Sequence, residues 1–213
     1  MKFIKDALLG GIFISVGAVA YLKLKNPVIF SLGILAVTLT GTLLVTAFVP
    51  KVFYKNSIGG ILKKVGLIPL MAVVNCVAAW FMGWLNFVDT ADVAAAKLAQ
   101  SPLQNFVSAI FCGGCIAVGV LLDKNEDGKH RLWVLMGFIT LFVACGFEHV
   151  VADAFYFSGA INNAIHEGVT NGESYYNALY LNLNSIGQAF SRLIIILCGN
   201  AVGGGLVARA INN

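Results

Sequence analysis

Charge is scarce in this chain. Only 11% of its 213 residues are Asp, Glu, Lys or Arg, where a soluble domain carries roughly a quarter, and a water-soluble globule is thereby ruled out. Four prolines and the lack of any Ser, Gln or Pro tract exclude disordered, collagen-like and linker-rich architectures. The 14 basic and 10 acidic residues are scattered, with no basic stripe of the kind that neutralises phosphates, which argues against nucleic acid as a partner. Chemical motifs are also few. No HExxH or serine–histidine pattern occurs, and the one CxxC, Cys112 and Cys115, has no second half. All five cysteines, Cys76, Cys112, Cys115, Cys145 and Cys198, lie in apolar runs. That setting suits small residues packing helix against helix better than a disulfide framework, a redox pair or a zinc site. No cofactor and no metal is expected. What the chain has in quantity is apolar: 59% hydrophobic residues and 23 glycines, with mean hydropathy +0.85. It is built for a bilayer.

Charge-free stretches run from Ala7 to Leu22, Asn26 to Pro50, Val65 to Val88, Leu98 to Leu122, Leu132 to Phe147 and Leu193 to Ala208. A hydrocarbon core of about 30 Å needs about 20 helical residues at about 1.5 Å each, so six spans fit once the shorter runs borrow flanking residues. Lys2 and Lys5 ahead of an apolar run that holds Ala18, Val19 and Ala20 also outline a signal peptide. Gly10, Gly11 and Gly17 in that run are helix-contact residues, and we read it as the first span. With six spans, Lys2, Lys5, Lys51, Lys55, Lys63, Lys64, Lys124, Lys129, Arg131 and Arg209 fall on the side of the termini; Lys23, Lys25, Lys97 and Arg192 fall opposite. The positive-inside rule then places both termini in the cytoplasm, and the cell's inner, or plasma, membrane is the expected location.

The halves of the chain echo each other. Asn75-Cys76-Val77-Ala78-Ala79 matches Asn200-Ala201-Val202-Gly203-Gly204, Gly10-Gly11 answers Gly113-Gly114, and Gly33 and Gly41 answer Gly137 and Gly146. Three spans per half put the second copy upside down, the inverted repeat of many transporters. The expectation is one all-α transmembrane domain over 1–213, with repeats of about 1–95 and 96–213. The second and fifth spans run into segments too polar or punctuated for lipid-facing helix: Thr46 to Tyr54 with Pro50 and Lys51, and Glu148, His149 and Asp153. Irregular backbone at that depth survives only against protein or a water-filled cavity, so two broken helices point to a central pathway. Ionisable groups there are costly and therefore functional by default.

"GFEHVVADAF" from Gly146 to Phe155 resembles the fifth-span signature of the formate/nitrite transporter family, Gly-Phe/Tyr-Glu-His-Ser-x-Ala-Asn-Met. "SLGILAVTLTG" from Ser31, "AKL" from Ala96 and "GNAVGGG" from Gly199 are similar to other family landmarks, in family order. The resemblance implies a homopentamer of aquaporin-like protomers, each with its own pore for a small monovalent anion such as formate, nitrite or hydrosulfide. By position it implies a pathway formed by His149, Thr46, Lys97, Glu148 and Asn200. Phe30, Leu44, Val45 and Phe142 match one apolar constriction, and Ile34 and Val150 the cytoplasmic one. The chain departs from the pattern at Leu43-Leu44-Val45-Thr46, which lacks the usual acid and aromatic; at Cys112-Gly113 in place of Cys-Asn; at Asp153-Ala154 in place of Asn-Met; and in lacking most of an N-terminal amphipathic helix. These departures leave the choice among anions open.

An anion crossing an apolar ring loses hydration that the ring cannot replace, whereas its neutral acid loses far less. The sequence therefore suggests that Lys97 concentrates anions at the outer mouth through its field, while Thr46 and His149 donate between the constrictions. A proton from His149, or from water it polarises, would let the weak acid pass as a neutral molecule. The rival from another class is an intramembrane metal enzyme with ligands from Glu148, His149, Asp153 and His166, since His149 and Asp153 share a helix face; a third is a purely structural membrane protein. Trp80, Trp84 and Trp133 read as interfacial anchors, Asp123 to Arg131 as a charged cytoplasmic turn, and Gly159 to Tyr180 as an outer segment over the pore mouth, with His166 solvated.

Overall fold

A computed structural model describes residues 1–85, 88–122 and 131–212. Eleven helices and no strand occur among them: α1 (Lys2–Leu24), α2 (Pro27–Thr40), α3 (Val45–Phe53), α4 (Ile58–Val65), α5 (Leu67–Trp84), α6 (Ala91–Ala99), α7 (Pro102–Leu121), α8 (Arg131–Ala144), α9 (Val150–Thr170), α10 (Tyr175–Leu181) and α11 (Leu183–Asn212). The turn expected from Asp123 to Arg131 lies, but for Arg131, outside the described residues.

Local sequence explains where several helices start. Asn26 caps α2 through Val28 N–H, with Pro27 at the first helical position. Ser101 and Gln104 form a reciprocal capping box on α7, again with proline next, each a device that satisfies otherwise orphaned N–H groups. α1, α7, α11 and the nearly continuous α4–α5 rod are each long and apolar enough to cross a bilayer. α2 and α3 qualify only together, as a pair bent by 58°. α8 is a shorter apolar helix, whose 14 residues cover roughly 21 Å, less than a hydrocarbon core.

The segment from Thr46 to Tyr54 is more regular than its composition suggests. Most of it is helix, and Pro50 lies inside α3, where it removes the N–H that would otherwise bond the carbonyl of Thr46. The stretch from Gly159 is likewise no loop. α9 continues unbroken to Thr170, and α10 follows after a short turn.

α9 is the axis of the fold. Every residue from Val150 to Gly159 on it is buried, and α1, α5, α6, α10 and α11 pack around it. The outer faces of α5 and α11 stay apolar and exposed, through Val73, Val77 and Phe81 and through Phe190, Ile194 and Leu206. In water such stripes would be a liability; against lipid or a neighbouring protomer they are ordinary surface.

Candidate functional site

Two helix breaks form the centre of the molecule, and they are built alike. α2 ends at Gly41 with φ +67°, and α8 is followed by Gly146 with φ +68°, a left-handed conformation that a side chain makes costly. Each glycine is followed, three residues on, by an extended N-cap: Leu44 (φ −124°, ψ 126°) starts α3, and His149 (φ −118°, ψ 109°) starts α9.

Each break exposes backbone groups that lipid cannot satisfy, and an asparagine takes them up. Asn75 on α5 accepts from Val45 N–H at 2.8 Å and donates to the carbonyls of Ala7 (2.6 Å) and Leu43 (2.9 Å). Asn200 on α11 accepts from Val150 N–H at 3.0 Å and donates to the carbonyls of Ala109 (2.9 Å) and Glu148 (2.8 Å). Two glycines let these asparagines come close. A Cβ on Gly11 would overlap the Asn75 carbonyl, and one on Gly113 the Asn200 carbonyl, so Gly113 does for α7 and α11 what Gly11 does for α1 and α5.

The two half-helices meet through their first turns. Thr46 Oγ1 lies 2.9 Å from His149 Nε2, both residues almost wholly buried. The other ring nitrogen, Nδ1, accepts from Ala152 N–H at 3.2 Å as the cap of α9, so it carries no hydrogen. The neutral ring therefore holds its proton on Nε2 and donates it to Thr46. Phe142 stacks on the imidazole with centroids 5.7 Å apart, and Phe30 meets Phe142 edge to face at 5.8 Å. The N-termini of α3 and α9 both face this point, and their dipoles favour negative charge there.

Lys97 is not the free cation of an open vestibule. It is 7% exposed, and its Nζ lies 2.7 Å from Glu148 Oε2 and 3.0 Å from Asp153 Oδ1. Two acidic side chains close around its charge, so a long-range field from Lys97 alone is not what this end of the molecule presents. Asn105 joins the cluster, donating to the Lys97 carbonyl (3.1 Å), with Glu148 Oε1 at 3.4 Å. The Glu148 side chain bonds Lys97 and Asn105, while its backbone N–H donates to Ser108 Oγ at 3.2 Å.

Lys97, Asp153, His149, Phe30 and Phe142 line one cavity of about 60 Å³, with Tyr21 and Tyr156 opposite. That is well above the roughly 10–15 Å³ one water requires. A second cavity, of about 190 Å³, lies at the opposite ends of α2 and α8 and is lined by Thr38, Thr42, Leu44, Lys51 and Leu135. The constriction expected from Phe30, Leu44, Val45 and Phe142 is thus divided. Phe30 and Phe142 belong to the first cavity and Leu44 to the second, because the break separates the two ends of the bent pair. Val45 is buried under the Asn75 cap, Ile34 is buried, and Val150 borders a lateral apolar groove between α5 and α11.

His166 is exposed and lies roughly 20 Å along α9 from Asp153, at about 1.5 Å per residue, so it cannot share a site with it. Glu148 and Asp153 face Lys97, and both imidazole nitrogens are engaged. Among the described residues no three His, Cys, Asp or Glu converge as metal ligands. Asn75, Asn105, Tyr21 and Tyr156 belong to the site as well. Of these only Asn75 carried a signal in the sequence, as the repeat partner of Asn200.

The family model described as "Formate/nitrite transporter" matches residues 1–212. An uncharacterized transporter, YrhG, of Bacillus subtilis (strain 168) is 25% identical, over 95% of this chain and 80% of its own length. The fold resembles that of a solved pentameric formate channel with formate bound, at TM-score 0.75 and 21% identity over 96% of this chain and 92% of that one. It also resembles an FNT family ion channel, at TM-score 0.74 and 18% identity over 96% and 86%. The chain is a multi-pass membrane protein whose relatives are channels and transporters, not enzymes, and it belongs to the formate/nitrite transporter family.

Proposed function

We propose that the chain conducts a small monovalent anion of a weak acid, of the formate class, across the membrane through a pore in each protomer, with His149 assisting its protonation. The observation that carries this reading is the Thr46–His149 pair, held at 2.9 Å between the first turns of two half-helices, with His149 bordering a mainly apolar cavity whose wall includes Lys97 and Asp153. Phe30 and Phe142 on one side and Leu44 on the other are each 2% exposed or less, so passage requires side chains to swing aside on either side of His149. A desolvated anion in such a slot is costly and its neutral acid far less so.

Of the two routes by which histidine serves, polarised water fits better than direct transfer. A ring whose Nδ1 caps a helix has only the Nε2 proton, and it offers this as a hydrogen bond toward Thr46 and the permeant oxygen. Thr46, accepting from the ring, keeps its own O–H to donate.

The same reading takes α2–α3 and α8–α9 as the broken second and fifth of six spans, in two inverted repeats of about 1–95 and 96–213. The twin Gly41/Gly146 turns and Asn75/Asn200 clamps support it. It takes the assembly as a homopentamer in the inner membrane with cytoplasmic termini, which the exposed apolar stripes and the distribution of basic residues favour.

The test is uptake into proteoliposomes for formate, nitrite, hydrosulfide, acetate and lactate under an imposed pH gradient. Saturable flux of at least one, carried with a proton, is expected. No flux of any of them would overturn the proposal.

A further inference from the structure

We propose that Asp153 carries the proton that neutralises the incoming anion, acting as the acid of the pore while His149 only hydrogen-bonds. The inference rests on the transport reading above and assigns the proton a source within it.

The charge count requires a proton somewhere. One ammonium, Lys97, faces two carboxyl groups within 3.0 Å, and the side chains of all three are 9% exposed or less. Every other group facing Asp153 is uncharged in its ordinary state: the phenols of Tyr21 and Tyr156, the thiols of Cys76 and Cys112, and the ring of His149. With both carboxylates ionised the cluster would hold a net negative charge at membrane depth, which burial penalises heavily. It would also repel the anion the protein passes. One retained proton makes the cluster neutral.

Hydrogen bonding decides which carboxyl holds it. Glu148 receives Lys97 at 2.7 Å on one oxygen and faces the Asn105 amide on the other, donors that favour its charged form. Asp153 has the same ammonium, 3.0 Å from one oxygen, but no amide donor on either. Position agrees, since Asp153 borders the cavity beside His149 and Glu148 does not.

The step balances. The Asp153 O–H bond breaks and an O–H bond (S–H for hydrosulfide) forms on the anion. The neutral acid moves on past His149, and the Asp153 carboxylate left behind pairs with Lys97 until hydronium from the water on the Lys97 side restores it. One anion and one proton enter together, so transport is electroneutral.

Asp153→Asn keeps size and shape but has no proton to release. In proteoliposomes at an acidic outer pH, formate uptake by D153N should fall at least tenfold below wild type, Asp153→Glu should recover part of it, and the acid stimulation seen in wild type should be lost. Infrared spectra provide an arm that needs no transport. Wild type should have a protonated-carboxyl band that D153N lacks and that weakens when formate is added. Wild-type rate and pH profile in a folded D153N would overturn the inference, as would absence of that band in wild type. If D153N does not fold, the wild-type spectrum with and without formate decides. Wild type passing none of the anions would sink the transport reading itself, a distinct outcome from wild-type flux that D153N leaves untouched.

Discussion

Replacing Asn200 with leucine conserves volume approximately and removes every polar contact its amide makes. Val150 N–H and the carbonyls of Ala109 and Glu148 would lose their partner in a site that is 2% exposed. A buried group left unpaired costs about 1–3 kcal/mol, so three give an additive ceiling of roughly 9 kcal/mol; neighbours relax together, and about 3–5 kcal/mol is expected. For a chain of this size each kcal/mol moves the midpoint by about 2–4 °C, so purified N200L in detergent should lose roughly 6–20 °C. Asn75→Leu removes the matching three bonds, to Val45, Ala7 and Leu43, and should lose a similar amount. Thermal unfolding followed by loss of the native oligomer on gel filtration measures both. Shifts below about 1 kcal/mol in both variants would refute the claim that these asparagines hold the broken backbone. A large loss in one alone would refute their equivalence.

Other consequences are equally direct. Gly113→Ala places a methyl on the Asn200 carbonyl, and because that neighbour is backbone it should cost about 1–3 kcal/mol as an overpacked contact, read in the same thermal assay, with Gly11→Ala similar. Thr46→Val removes the acceptor for His149 Nε2–H without changing shape much; formate flux should drop by up to roughly a hundredfold to a thousandfold, the range of a lost donor at a charge-bearing position, and Thr46→Ser should restore most of it. His149→Phe removes the Nε2–H donor beside Thr46 and should lower formate uptake at every pH while leaving one proton coupled to each anion; undiminished uptake would remove the imidazole from the mechanism.

Much of the architecture was legible because lipid imposes simple rules. Charge-free runs located the apolar helices, and Gly41 and Gly146 marked the turns because a left-handed residue favours glycine. The Asn75 and Asn200 motifs aligned because both clamp a break. Other features were hidden because they depend on partners distant in sequence. Lys97 looked like an exposed vestibule cation, since nothing local indicates that Glu148 and Asp153, more than fifty positions later, close around it. Tyr21, Tyr156 and Asn105 sit in apolar helices where nothing distinguishes a cavity-facing residue from a packed one. The polar composition after Gly159 suggested an outer segment over the pore mouth, yet Asn162 is satisfied by the Trp84 carbonyl and α9 runs on to Thr170. Composition reports the average surroundings of a segment, and here a buried axial helix has polar residues because other helices supply their partners.

The two breaks also explain why the site is asymmetric. Leu44 and His149 occupy the same place in their respective turns, three residues after a left-handed glycine and at the cap of a half-helix clamped by asparagine. The scaffold thus offers two equivalent positions at the centre, and only one holds an imidazole. With leucine at one cap, the half-helix dipoles still favour an anion, but the wall on that side has no group that exchanges protons. With Lys97, Glu148 and Asp153 all on the other side, protonation and release of the acid are spatially separated. On the proposal above, the weak acid would gain its proton from Asp153, cross the ring of Phe142 and His149 neutral, and lose the proton in the larger cavity by Leu44, which Thr38 and Thr42 also line. The gradients of anion and proton set the direction of net flux, and the asymmetry of the caps sets only where along the path the acid is neutral. Exchanging the two residues, as Leu44→His with His149→Leu, would leave the backbone clamps in place and move the imidazole hydrogen bond away from the cavity that Asp153 borders.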